Sequence, residues 1–518
     1  MICRLVHILP IRFFTMALML IATFQISAQQ QNPPPSDRKL ILVRQADLGI
    51  SEKVNGVEIT RFVGNCIFEH EGALMFCDSA WIDNATNVLD ALGHVYMNIG
   101  DTIDIWSDSL YYDGNIKMAT LYDNVKLVDR ETELTTNILF YDRTIERAHY
   151  PHYGFIVNEE DHLTSLEGYY YSKPKVFNFH HEVVLTNPDY VLKSDTLVYE
   201  SRGKISRIFG PTTITGKNRY IYCERGWYNS KTGNSHLHEK VFIRDNDQTL
   251  NADSVYYFKE TDFGKAFGNV VMHDTTNDAY AFGQRAVYAG KAGFAWITDR
   301  PEARFIDNGD TLFMHADTLR ITFDTARTVQ RLWAFRHVKF YRSDMQGVCD
   351  SLAYTQSDSL ITLYGLPVLW SDQNQLTSDT IRMWVSNRQI DSAYFVSAAF
   401  ITQLDDSVAL TYNQIKGRNM QSYFDGKKLK LVYVLGNAES VYYAREEDHS
   451  IIGINFAISS WMKIRVKDNE INDILYIDAP DGVFYPEKDF PSEKKQLKNF
   501  KWHGTDRPMK PEDIFIHR

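Results

Sequence analysis

Asn251-Ala252-Asp253-Ser254-Val255-Tyr256-Tyr257 and Phe267-Gly268-Asn269-Val270-Val271-Met272 decide the fold, because both patterns return along the chain. The first reads acidic or amide residue, Ser/Thr, apolar, any, aromatic. It recurs as Asp78-Ser79-Ala80-Trp81, Asp108-Ser109-Leu110-Tyr111-Tyr112, Asp195-Thr196-Leu197-Val198-Tyr199 and Asp350-Ser351-Leu352-Ala353-Tyr354. Looser copies begin at Asn137, Glu167, Glu224, Gln284, Asp317, Asp379 and Asn413, and successive copies lie 28 to 34 residues apart. A fixed period of this length marks stacked repeats.

The second pattern falls about 15 residues after the first. It joins a turn residue to an apolar strand start, as in Gly93-His94-Val95, Asp123-Asn124-Val125, Glu239-Lys240-Val241 and Gly365-Leu366-Pro367. Apolar residues then alternate, which predicts strands rather than helices. The expected unit is two strands of roughly 8–10 residues joined by two turns. Asp with Ser/Thr reads as turn chemistry at a strand start, since these side chains bond nearby backbone amides.

No such unit can bury its apolar face alone, so units must stack with their apolar faces together. Twelve units at about 4.8 Å per strand give an array on the order of 60 Å long. The interior wall should come from one alternating set: Leu110, Tyr112, Val125, Leu127, Leu139, Tyr141, Leu197, Tyr199, Val241, Ile243, Val255, Tyr257, Val270, Met272, Leu319 and Ile321. A register error of one residue would turn each strand's set outward.

Composition agrees. Of 518 residues, 13% are aromatic, with 30 Tyr and 30 Phe, types that favour strands. Hydrophobic residues at 44% and charged residues at 23% exclude wholesale disorder. Lys plus Arg is 55 against 66 Asp plus Glu, a net charge of -11, which argues against a nucleic-acid partner.

Arg4, His7 and Arg12 precede an apolar run from Phe13 to Ile26, then Ser27-Ala28. This predicts a secretory signal peptide over 1–28, cut after Ala28. The alternative is an uncleaved anchor, but 14 apolar residues fall short of the roughly 20 that span a bilayer. A leader is expected over 29–50, repeats over 51–445, further β rungs over 446–485 and a Pro/Lys-rich tail over 486–518. The tail is irregular, with Phe500, Trp502 and Phe515 as its docking residues.

Cys66 and Cys77 flank Glu71-Gly72; a hairpin turn there makes them face each other. An exported compartment allows a disulfide between them. Two reduced, buried side chains are the equal alternative.

There is no GxSxG, P-loop, Rossmann glycine pattern or HExxH. The pairs His236/His238, His180/His181 and His149/His152 lack a third ligand at a metal-binding spacing. No catalytic residue, cofactor or metal is expected.

The Ala-Asp-Ser-Val-Tyr-Tyr and Gly-Asn-Val elements, with Leu435-Gly436-Asn437-Ala438-Glu439-Ser440-Val441, resemble the OstA/LptA superfamily of periplasmic lipopolysaccharide-transport proteins. The resemblance covers roughly residues 40 to 485. It implies an all-β fold: an elongated twisted β-jellyroll of two facing antiparallel sheets, here from about twelve 30-residue repeats. It also implies that the wall residues above line a lipid-binding groove shielding lipopolysaccharide or a related lipid, in the periplasm or at the outer membrane. Head-to-tail assembly by edge-strand addition follows, with another β-jellyroll transport protein or a second copy. The exposed edges are expected at Arg61–Phe68 and at Met462–Val466 with Ile474–Ile477, unless the tail Lys494–Arg518 caps one. The competing readings are an exported structural or adhesive β-solenoid and a carbohydrate-active parallel β-helix enzyme. The interior discriminates: closed and filled, or splayed open with apolar walls.

Overall fold

A computed structural model describes residues 39–516, apart from 55–56, 101, 131, 308, 387–388, 426–427, 447, 449 and 468–469. The segment read as a signal peptide lies outside the described residues.

In the strand Ala73–Asp83 the buried residues are Ala73, Met75 and Cys77, and then Ala80 and Ile82. The alternation slips by one residue at Asp78. The partner strand Val88–Ile99 slips opposite it, between Leu92 and Val95, through Gly93 and His94 at φ of 80° and 43°. Such a slip is a β-bulge. It turns the apolar faces of both half-strands inward, so the strand bends there.

Strands of 11 and 12 residues therefore run through the recurring patterns instead of starting at them. The expected strand start is corrected to a mid-strand bend. Gly-Asn, Asp-Asn and Glu-Lys pairs bend the chain with two successive left-handed residues, as at Asp123/Asn124 and Glu239/Lys240. The turns lie elsewhere, one of them at Glu71-Gly72 as expected.

The Asp of the motif holds the bend of the neighbouring strand. Asn124 Nδ2 donates to Asp108 Oδ2 at 2.8 Å, Lys240 Nζ to Glu224 Oε1 at 2.7 Å, and Asn269 Nδ2 to Asp253 Oδ2 at 3.0 Å. Gly268, at φ 71°, packs so closely on Asp253 that an added Cβ would collide with the carboxyl. The small residue before the Asp faces inward at the crease. Its hydroxyl donates to the carbonyl two residues on, as in Ser107 to Ser109 at 2.9 Å and Ser378 to Thr380 at 2.8 Å. That bond satisfies a carbonyl the bulge withdraws from the ladder.

Repeated at every rung, the bend folds one continuous antiparallel sheet of 38 strands along a crease into two facing walls. Wall 1 carries turns such as Gly114–Lys117, and wall 2 carries turns such as Glu71-Gly72. Every pairing is antiparallel, which excludes the parallel β-helix. Helical structure is limited to four short 3-10 turns among the described residues, and no helix there is long and apolar enough to cross a membrane.

The sheet begins at Leu42, inside the stretch expected as leader. Leu42–Gln45 and Leu48–Val54 pair with the strand Val57–His70. Arg61–Phe68 is thereby flanked on both sides, and the N-terminal edge is Leu42–Val54 instead. At the other end Met462–Val466 is also flanked, while Glu470–Ile477 and Asp481–Tyr485 form the edge.

The tail does not cap that edge. It turns back over the outer face of wall 2, from Phe490 against Tyr443 and Tyr485 to Phe515 against His315. Phe500 and Trp502 pack on Tyr412, with ring centroids at 5.0 and 5.3 Å.

Candidate functional site

Between the walls the interior has two characters. From Cys66 to about Ile208 it is filled. Tyr112, Tyr141, Tyr150, Tyr170, Phe177, Phe179 and Tyr199 are each at most 1% exposed. The mouth, where the turns of the two walls meet, is latched by polar pairs. Tyr170 Oη donates to Asp129 at 2.6 Å, and Lys175 also binds that carboxylate. Tyr199 Oη donates to Asp161 at 2.6 Å, with Lys204 Nζ 2.9 Å from Asn158 and 3.3 Å from Asp161. Nearer the N-terminus His70 Nδ1 meets Tyr112 Oη at 2.7 Å, and Arg143 donates to both Tyr112 Oη and the His70 carbonyl.

Further along, inward positions between Gly226 and Ala303 mix the small residues Gly226, Ala252, Ala266, Gly283, Ala286 and Ala303 with Leu237, Val241, Val255, Val270 and Ile297. The apolar residues nearest the mouth are only half-buried there: Ile243, Leu250, Met272, Phe305 and Leu312 on wall 2, Tyr257 and Ile321 on wall 1. The difference from the filled part lies at the mouth, since Ala80, Ala91, Ala119 and Ala148 are inward in that part too. The interior is therefore less closed to solvent at its mouth here than it is upstream.

All sixteen expected wall residues point inward, in two environments. Leu110, Tyr112, Val125, Leu127, Leu139, Tyr141, Leu197 and Tyr199 lie in the filled, latched part. Val241, Val255, Val270 and Leu319 are buried in the second part, and Ile243, Tyr257, Met272 and Ile321 are half-buried at its mouth. The latch residues Asp129, Asp161, Lys175 and Lys204 escaped the sequence reading, since each is a turn residue indistinguishable from a solvated one.

Cys66 stands directly opposite Cys77 in the hairpin register. Both are free thiols, as are Cys223 and Cys349. Burial pushes Cys77 up to about 12 and raises Cys66 in the same direction. The histidine pairs make local contacts: His236 with Ser254 at 3.1 Å, His149 with Glu167 at 3.0 Å, His181 with Asp195 at 3.3 Å. Among the described residues no three His, Cys, Asp or Glu side chains are grouped to hold a metal.

The family model described as OstA-like protein matches residues 37–195 and 227–329. The chain belongs to the OstA-like family, a transport-type, non-enzymatic family related to lipopolysaccharide and lipid transport. Compared with curated proteins, the chain has no significant match.

Proposed function

We propose that the chain is a periplasmic lipid-binding protein that shields lipopolysaccharide acyl chains during transport to the outer membrane. The observation that carries this reading is the change of interior along one array, from a packed, latched core to a stretch whose mouth-side apolar residues, Ile243, Tyr257, Met272 and Ile321 among them, are only half-buried. Burial of acyl chain in that stretch gains about 0.8 kcal/mol per CH2. A few methylenes outweigh the repulsion between an anionic lipid and a chain of charge -11.

The two edges support assembly into a longer conduit. Leu42, Val43, Leu48 and Ile50 at one end, and Leu475, Val483 and Phe484 at the other, are 40% to 53% exposed. Unpaired edges with exposed apolar side chains recruit further strands. The partner is another β-jellyroll transport protein or a second copy of this chain.

Photo-crosslinking in cells tests the groove. Crosslinkers at Met272 and Ile321 should give lipopolysaccharide adducts, and crosslinkers at Leu127 and Tyr141 should not. Adducts only from outward positions such as Lys265 would overturn the reading.

A further inference from the structure

The outer face of wall 1 carries one residue per strand in a continuous row, each directly opposite the next. The row starts at Ile50, passes Arg61, Trp81, Asp90 and Tyr111, and ends at Lys463 and Leu475. Aromatic rings recur in it, and the residues between rings are neutral or basic. Arg320 stands between Trp296 and Trp333, Lys265 between Tyr256 and Val287, and Lys463 beside Tyr433 with its Nζ 5.5 Å from the ring centroid. Among the described residues Asp90 is the one acid in the row.

Asp90 sits between Trp81 and Tyr111, one strand from each. Two strand spacings put the aromatic residues about 10 Å apart along the sheet, room for one flat or rod-like group between rings. The far face of Trp81 is already taken by Arg61, whose guanidinium carbon lies 5.3 Å from the ring centroid. Asp90 has no hydrogen-bond or ion-pair partner among the described residues. Although it reaches solvent, partial desolvation beside the rings raises its carboxyl above the usual range. A surface cavity of about 730 Å³ opens over these residues, lined also by Asp83, Asp113, Ile59 and Val88.

We propose that Trp81, Asp90 and Tyr111 form a clamp for a basic side chain, Arg or Lys, presented by a partner protein. At several other rings of the row the chain supplies its own cation; between Trp81 and Tyr111 it supplies a counter-ion instead. The faces of Trp and Tyr attract cations, and Asp90 adds the opposite charge. The cavity is far larger than a lone ion, and Ile59 and Val88 within its mostly polar lining can take the aliphatic stem of a long side chain. This inference is independent of the lipid groove, which lies on the other face of the sheet.

Saturation-transfer difference NMR with the purified protein tests it, using the tripeptide Gly-Arg-Gly and its neutral isostere Gly-citrulline-Gly. Saturable transfer to the arginine methylenes is expected. Binding should weaken by about tenfold for the citrulline peptide and for Asp90→Asn. Asp90→Arg, which fills the clamp from within, should abolish binding and leave the circular dichroism spectrum unchanged. Equal binding of the two peptides, or undiminished binding by Asp90→Asn, would overturn the proposal. Guanidinium chloride binding as tightly as Gly-Arg-Gly would assign the clamp to a small free cation and overturn the partner assignment.

Discussion

The phenol of Tyr199 on one wall donates a 2.6 Å hydrogen bond to Asp161 on the other, across 38 residues of chain. The bond closes the mouth of the array at that rung. Asp161 also takes Lys204 and Asn187, so its buried carboxylate is fully engaged. Tyr199→Phe removes one charge-assisted hydrogen bond and leaves the packing in place. The expected loss is about 1.5–3 kcal/mol, read from urea unfolding. A loss below about 0.5 kcal/mol, the scale of ordinary surface changes, would mean the latch does not hold the walls.

How much of this was legible follows from which contacts have a period. The rung spacing, the inward set and the hairpin at Glu71-Gly72 all have periods of 2 or about 30, and all were readable. The bend was not, because Gly-Asn and Asp-Asn serve hairpin turns and bulges alike. One signal for it was present: Ile103, Ile105 and Ser107 share a phase that Leu110 and Tyr112 do not, so the slip at Asp108 was written in the sequence. The latch is different. Asp129 reaches Tyr170 and Lys175 over 41 and 46 residues, and no local pattern joins them. The half-buried mouth further along has no local signal either, since Tyr228, Tyr257 and Tyr288 repeat the motif tyrosine of Tyr112, Tyr141 and Tyr199.

Cys66 and Cys77 meet across the hairpin, so oxidation should link this pair. The raised pKa of both thiols keeps the reactive thiolate scarce, and closure should be slow without a catalyst. Incubation with diamide, followed by thiol counting in denaturant, is expected to find Cys223 and Cys349 free and the other two consumed. Cys66 and Cys77 both still free after oxidant would show that the register does not bring the sulfurs within bonding geometry.

Acid should loosen the N-terminal latch. Burial lowers His70 below the ordinary imidazole value of 6.5; the hydrogen bond with the Lys39 carbonyl opposes that shift, while nearby Arg143 and Lys117 add to it. A depressed histidine takes up its proton more readily when unfolded, so stability falls as pH drops below about 6.5 and is unaffected above it. His315, also lowered chiefly by burial, acts in the same direction. His70→Gln should therefore flatten, without abolishing, the fall in Tm between about pH 7 and pH 5. An identical slope in both proteins would remove His70 from the acid response.

The tail is held through its backbone by two buried glutamines of wall 2. Gln414 donates to the Lys495 carbonyl at 2.8 Å and accepts from the Leu497 amide at 2.9 Å. Gln375 repeats the arrangement with the Lys501 carbonyl at 2.8 Å and the His503 amide at 2.7 Å. Both side chains are at most 1% exposed, so Ala in their place strands the tail's amides and carbonyls without partners. Each lost hydrogen bond costs about 1 kcal/mol, and the double variant Gln375→Ala/Gln414→Ala loses four. Release of the tail would expose Lys495, Lys498 and Lys501 to protease while the β array, held by its own ladders, stays folded. Limited trypsin digestion should then cut the tail of the double variant at least about tenfold faster than the parent, with the strand signal in circular dichroism unchanged. Equal cleavage rates would show that the aromatic sockets around Phe490, Phe500 and Trp502 hold the tail without the glutamines.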